Sequence, residues 1–66
     1  MEYSREELTE AKRQIDSLLH KLRAVIKTLE HKEDPQRYRS QITLAERRLA
    51  AFEIAEALIA AELSGR

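Results

Sequence analysis

Apolar residues recur along this chain at intervals of three and four, the spacing that gathers them on one side of an α-helix. The first stripe is Leu8, Ala11, Ile15, Leu18, Leu22, Val25 and Leu29. The second is Tyr38, Ile42, Ala45, Leu49, Phe52, Glu56 and Ile59, with one carboxylate interrupting it. Taken in opposite directions, the stripes pair at a constant sum of residue numbers, 67, from Leu8 with Ile59 to Leu29 with Tyr38. Two antiparallel helices of matched length require such a sum, because each seam position must meet a seam position of the other helix. The pattern predicts an all-α fold. One helical-hairpin domain covers residues 1–66, an antiparallel pair of helices over about 5–32 and about 35–63. Leu19 and Ile26, beside the first stripe, are expected only to widen it.

Local signals agree with the period. Tyr3-Ser4-Arg5-Glu6-Glu7-Leu8 reads as a capping box, with Ser4 as N-cap and Glu7 at N3, and Tyr3 and Leu8 stand where a hydrophobic staple would place them. Asp34-Pro35 is a favoured way to begin a helix, with Asp34 as cap and Pro35 at the first helical position. Residues 31–34 form the short turn that antiparallel neighbours need, and Gly65 is a plausible stop.

Helix 2 carries more apolar surface than one seam uses. At 100° per residue, Leu44, Ala51, Ala55 and Leu58 make a second stripe beside the first, bordered by Arg48, and the apolar arc reaches about 200° where one core contact needs little more than about 100°. The chain has 66 residues and no cysteine, and a lone core below about 70–80 residues rarely supplies more than about 3–5 kcal/mol. A second copy is the simplest cover, giving a homodimeric four-helix bundle with Leu44, Arg48, Ala51, Ala55 and Leu58 at the dimer interface. Charge sets its direction. Residues 1–16 and 49–66 each sum to −2, residues 17–33 and 34–48 each to +2, so the hairpin has an acidic open end and a basic loop end. An antiparallel pair of hairpins, loops at opposite ends, places each basic end beside an acidic one. Helix 2 is expected to cross its counterpart near Ala51, with Leu44 meeting Leu58 of the other copy.

The remaining chemistry is sparse. Net charge is zero, with 12 basic and 12 acidic residues, which gives no general attraction to nucleic acid or anionic membrane. No apolar run is long enough to cross a bilayer and the N-terminus is charged, so the chain reads as cytoplasmic and soluble. No cysteine nucleophile, serine beside a base or phosphate-cradling glycine loop is present, and no catalysis, cofactor, metal or small-molecule substrate is expected. Glu56, in the seam opposite Ala11, is read as a register-fixing group that reaches Lys12 or water. A carboxylate metal site with Glu53 fits less well, because bundle sites of that type use a Glu-x-x-His spacing. His20, four residues after Asp16, reads as half of a helix-surface pair.

The most suggestive surface group is basic: Arg37 and Arg39 flank Tyr38 near the loop, with Arg47 and Arg48 further on. Arginines around an aromatic ring can grip a nucleic-acid backbone while the ring stacks on a base. The homodimeric hairpin resembles in architecture the Rop family of RNA-binding four-helix bundles, and that resemblance carries no residues over. Tyr3-Ser4-Arg5-Glu6-Glu7-Leu8, Thr43-Leu44, the run from Arg47 to Ala55, Leu58-Ile59 and Glu62-Leu63 resemble a group of small uncharacterised bacterial helical-hairpin proteins associated with mobile elements. That resemblance implies no activity, and it makes Arg47 and Arg48 the polar positions most typical of the pattern. Arg13, Ile15, Asp16 and Leu22 are similar to the first helix of helical chorismate mutases, whose other helices and basic groups have no counterpart here. The expectation is a small homodimeric module that binds another protein, with an RNA-binding regulator using Arg37, Arg39, Arg47 and Arg48 as the alternative.

Overall fold

Ser4 opens the first helix by satisfying donors that a helix start leaves unpaired. Its Oγ accepts from the Glu7 N–H at 3.0 Å, and its own N–H donates to Glu7 Oε1 at 3.0 Å, a reciprocal cap that stabilises by about 0.5–2 kcal/mol. The structure, a computed structural model, describes residues 2–65. Helix α1 spans Arg5–Glu30, a 3₁₀ helix Pro35–Tyr38 and helix α2 Arg39–Ser64. No strand occurs among the described residues.

The helix boundaries differ from expectation at the turn. Helix α1 stops at Glu30, two residues early, where the His31 and Lys32 N–H groups swing back to the Thr28 and Leu29 carbonyls at 3.2 and 3.3 Å. The His31 ring completes this end, Nδ1 donating to the Lys27 carbonyl at 2.7 Å. Asp34 is not the side-chain cap that its position implies: it makes no capping hydrogen bond, and its carbonyl accepts from the Arg37 N–H at 3.1 Å. Proline bars the residue before it from helical geometry, so the chain enters α2 through a tighter three-residue turn, and the α-helix proper starts four residues later than expected. Gly65 closes α2 with its N–H on the Ala61 carbonyl at 2.9 Å and φ of −74°, so the stop uses no left-handed residue.

The two helices pack side by side into a rod of 48 × 16 × 15 Å. On α2 the half-buried track is Tyr38, Ile42, Leu49, Phe52, Glu56 and Ile59 around a buried Ala45, the stripe read from the sequence. On α1 the seam is shifted. Leu19 is 2% exposed and Ile26 half-buried, whereas Leu18 and Val25, assigned to the seam by the constant sum, are 42% and 47% exposed. The buried track therefore runs Ile15, Leu19, Leu22, Ile26, Leu29, in steps of four then three rather than three then four. This track takes in Lys12 as well, which lies half-buried along its stem while its Nζ reaches Asp16 at 3.1 Å. Lys12 answers Asp16, so of the two reaches expected for Glu56 the one to Lys12 is not made, and Asp16 answers Lys12 and not His20, which is exposed.

The packing is thin. Among the described residues only Leu19 and Ala45, at 2% and 6% exposure, are buried. The chain exposes 5404 Å², whereas a compact monomer of 7.7 kDa exposes about 4,300 Å². About 1,100 Å² of surface is in excess, more than the roughly 800 Å² that each partner buries in a standard protein interface.

Candidate functional site

The excess surface is not spread evenly round the rod. Helix α1 is strongly amphipathic, while the apolar residues of α2 run almost right round it and leave little contrast between its faces. At 100° per residue, Arg23 and Glu53 each lie about 70–80° from the seam centre of their own helix. Antiparallel neighbours turn in opposite senses seen from one end, so equal offsets of the same sign fall on the same flank of a hairpin. The ion pair between Arg23 Nη2 and Glu53 Oε2, 3.0 Å long, fixes that flank as a polar one. Near the open end, Arg5 Nη1 donates to the Leu63 carbonyl at 3.0 Å from the same side.

The opposite flank is apolar. Leu18 and Val25 lie about 65–85° round α1 in the other sense, and Leu44, Ala51, Ala55 and Leu58 occupy about 90–150° round α2 in that same sense. Leu44 is 48% and Leu58 68% exposed; Ala51 is exposed and Ala55 half-buried. Four of the five residues expected at a dimer interface thus form an uncovered apolar strip, and Arg48 stands exposed at its inner edge. Leu18 and Val25 extend the strip onto α1. Sequence periodicity missed them because each has an apolar neighbour, Leu19 or Ile26, able to take the seam in its place. Ile54, 63% exposed, lies beyond the strip on the back of α2. At the open end the apolar flank deepens into a groove lined by Tyr3, Leu8, Ala11 and Ile59 and rimmed by Glu7 and Glu10. Tyr3 and Leu8, the expected staple pair, both line it.

The basic residues do not form one patch. Arg37, Arg39, Arg47 and Arg48 are all exposed, but Arg37 and Arg39 diverge by about 200° round the helix, and Arg47 and Arg48 by about 100°. Arg37 and Arg48 share the apolar flank. Arg39 points away from it, with Nη1 on Gln36 Oε1 at 3.5 Å. Tyr38 is half-buried at its seam position. Glu53 is held by Arg23, Glu56 is half-buried in the seam, and no three histidine, aspartate or glutamate groups converge to hold a metal among the described residues. No helix among the described residues is long and apolar enough to cross a membrane.

The fold and its surfaces define a two-helix hairpin with one polar flank and one uncovered apolar flank. No family model, curated protein or solved structure matches the chain.

Proposed function

We propose that the protein is a non-catalytic interaction module that works as an antiparallel homodimeric four-helix bundle and acts by binding another protein. The observation that carries this reading is the apolar strip on one flank of a hairpin in which two of the described residues, Leu19 and Ala45, are buried. A surface of this kind costs free energy until a complementary surface removes it from water, and the excess of about 1,100 Å² matches what a stable interface needs. In the dimer Ala51 lies on the two-fold axis, Leu44 meets Leu58 of the second copy, and the Arg48 stem covers the edge between seam and interface. Loops at opposite ends bring the +4 loop end of each hairpin to the −4 open end of the other. Surface ion pairs add only about 0.2–1 kcal/mol each, so charge selects the orientation and apolar burial supplies the affinity.

The further protein partner is supported by what homodimerisation leaves uncovered. Ile54 and the alanines around it on the back of α2 stay outside the two-fold strip. Capture of a binding partner from host lysate, with and without nuclease, tests the reading against RNA regulation. The module reading expects a nuclease-resistant protein partner that survives charge reversal of Arg37 and Arg39. Nuclease-sensitive nucleic acid, bound in a salt-dependent way and lost on that reversal, would replace it with RNA binding.

A further inference from the structure

We propose that the groove at the open end of the hairpin is the receptor for Val25 of a second copy, so that the homodimer closes through α1 against α1 as well as α2 against α2. The inference rests on the dimeric reading above and adds a second contact to it.

Three features of the apolar flank lead to this occupant. The first is level. Residues opposite each other in the hairpin sum to about 67–68, so Ala51, on the proposed two-fold axis, stands level with residues 16–17 of α1. An axis across the rod at that height carries Val25 of one copy, eight to nine residues past the axis, to the level of residues 7–9 of the other, about 12–13 Å from the axis at 1.5 Å per residue. Leu8 and Glu7 stand at that height, and both line the groove. Leu18 then lies within a turn of the axis, beside its own counterpart.

The second feature is fit. The groove is apolar along its floor, from Leu8, Ala11 and Ile59, and Val25 is an apolar side chain left 47% exposed in the second half of α1. The third is charge. Glu7 and Glu10 rim the groove, and Lys21, one turn before Val25 on the same flank of α1, arrives at the level of residues 11–13 of the second copy, within a turn of Glu10. An acidic-rimmed apolar groove and an apolar knob with a cation beside it are carried by the same surface 18 residues apart, so the surface is complementary to itself under a two-fold rotation. The excess area fits too, because helix α2 alone offers one edge of the rod, and an interface of standard size needs both helices.

Opposite charges at position 25 provide the test. Val25→Glu and Val25→Lys remove the same apolar group from an exposed helical position; within one chain Lys21, one turn earlier, favours the carboxylate over the ammonium, whereas across the interface the carboxylate meets Glu7 and Glu10 of the second copy and the ammonium is the one favoured. Sedimentation equilibrium of the two variants and the wild type gives the dimer dissociation constants. The expected result is a dimer in which Val25→Glu raises the dissociation constant by about tenfold or more over Val25→Lys. A second readout uses the absence of cysteine from the chain: in the double variant Glu7→Cys, Val25→Cys the two thiols of one helix are about 27 Å apart and cannot bridge within a chain, so oxidation is expected to yield a covalent dimer. A wild-type dimer in which the two charge variants dissociate alike and no crosslink forms would overturn the α1 contact and leave the homodimer standing. A wild type that sediments as a monomer would overturn both.

Discussion

Ala51→Glu produces a monomeric chain with most of its cooperative structure lost. Position 51 is exposed in the isolated hairpin, so the substitution breaks no contact within one chain, and glutamate is a good helix former. In the proposed bundle the same position falls on the two-fold axis, where two copies would bring two carboxylates face to face in a desolvated interface. Leaving like charges buried and unpaired costs several kcal/mol, enough to raise the dimer dissociation constant by well over 100-fold. The thin seam around Leu19 and Ala45 of a 7.7 kDa hairpin then remains to hold the fold, and a core of that size supplies at most about 3–5 kcal/mol. Circular dichroism and sedimentation of the variant at micromolar concentration check the result. A variant with the mass and helicity of the wild type would mean that the second copy does not sit on this strip.

Leu19→Ala has the largest effect expected of any substitution within the hairpin. Leu19 is 2% exposed and lies at the centre of the seam. Truncating such a side chain removes its transfer free energy and leaves a cavity, together about 2–5 kcal/mol. For a domain this small, 1 kcal/mol moves the midpoint by roughly 4–8 °C, so the Tm should fall by more than about 10 °C. The neighbouring Leu18→Ala serves as the comparison, since Leu18 is 42% exposed and contributes to the apolar flank rather than to the seam. Its Tm should fall less within the hairpin, with the loss appearing in the dimer dissociation constant. Thermal melts of both variants over a range of concentrations separate the two effects. A larger, concentration-independent loss for Leu18→Ala than for Leu19→Ala would reverse the seam assignment.

That pair of leucines marks where the sequence stops being decisive. The hairpin itself is legible because Ser4-x-x-Glu7 specifies one helix start, Pro35 breaks the chain near its middle, and α2 has a seam track from Tyr38 to Ile59 interrupted by Glu56 alone. Helix α1 has two possible tracks through Ile15, Leu22 and Leu29. One passes through Leu18 and Val25, the other through Leu19 and Ile26, and both satisfy a heptad. The first pairs across the hairpin at a constant sum of 67, whereas in the second the sum alternates between 67, as for Ile15 with Phe52, and 68, as for Leu19 with Leu49, so a strictly constant sum points to the first track. Apolar counting favours the first, because it takes in Ala11 and the second takes in Lys12. The structure takes the second, and Lys12 accommodates it by lying along the seam and placing its ammonium on Asp16.

The same ambiguity hid half of the apolar flank. With Leu18 and Val25 counted as seam, α1 is fully used, and the uncovered surface reduces to a strip on α2. Once they are released, the strip spans both helices. Leu44, Ala51, Ala55 and Leu58 were legible from helical spacing alone, because nothing in the chain competes with them for a place in the seam. The arginines were grouped by nearness in sequence, although Arg37 and Arg39, two residues apart, leave opposite sides of a helix; the orientation of the seam adds that Arg37 falls on the apolar flank and Arg39 away from it.

Sedimentation equilibrium of the unmodified protein over a wide concentration range tests the central claim most directly. A homodimeric bundle gives a mass of twice 7.7 kDa that falls toward the single-chain value only on dilution, with helicity lost in the same range. A mass of 7.7 kDa at every concentration, with helicity unchanged, would contradict it, because a thinly packed hairpin would then be holding its fold with its apolar flank in water.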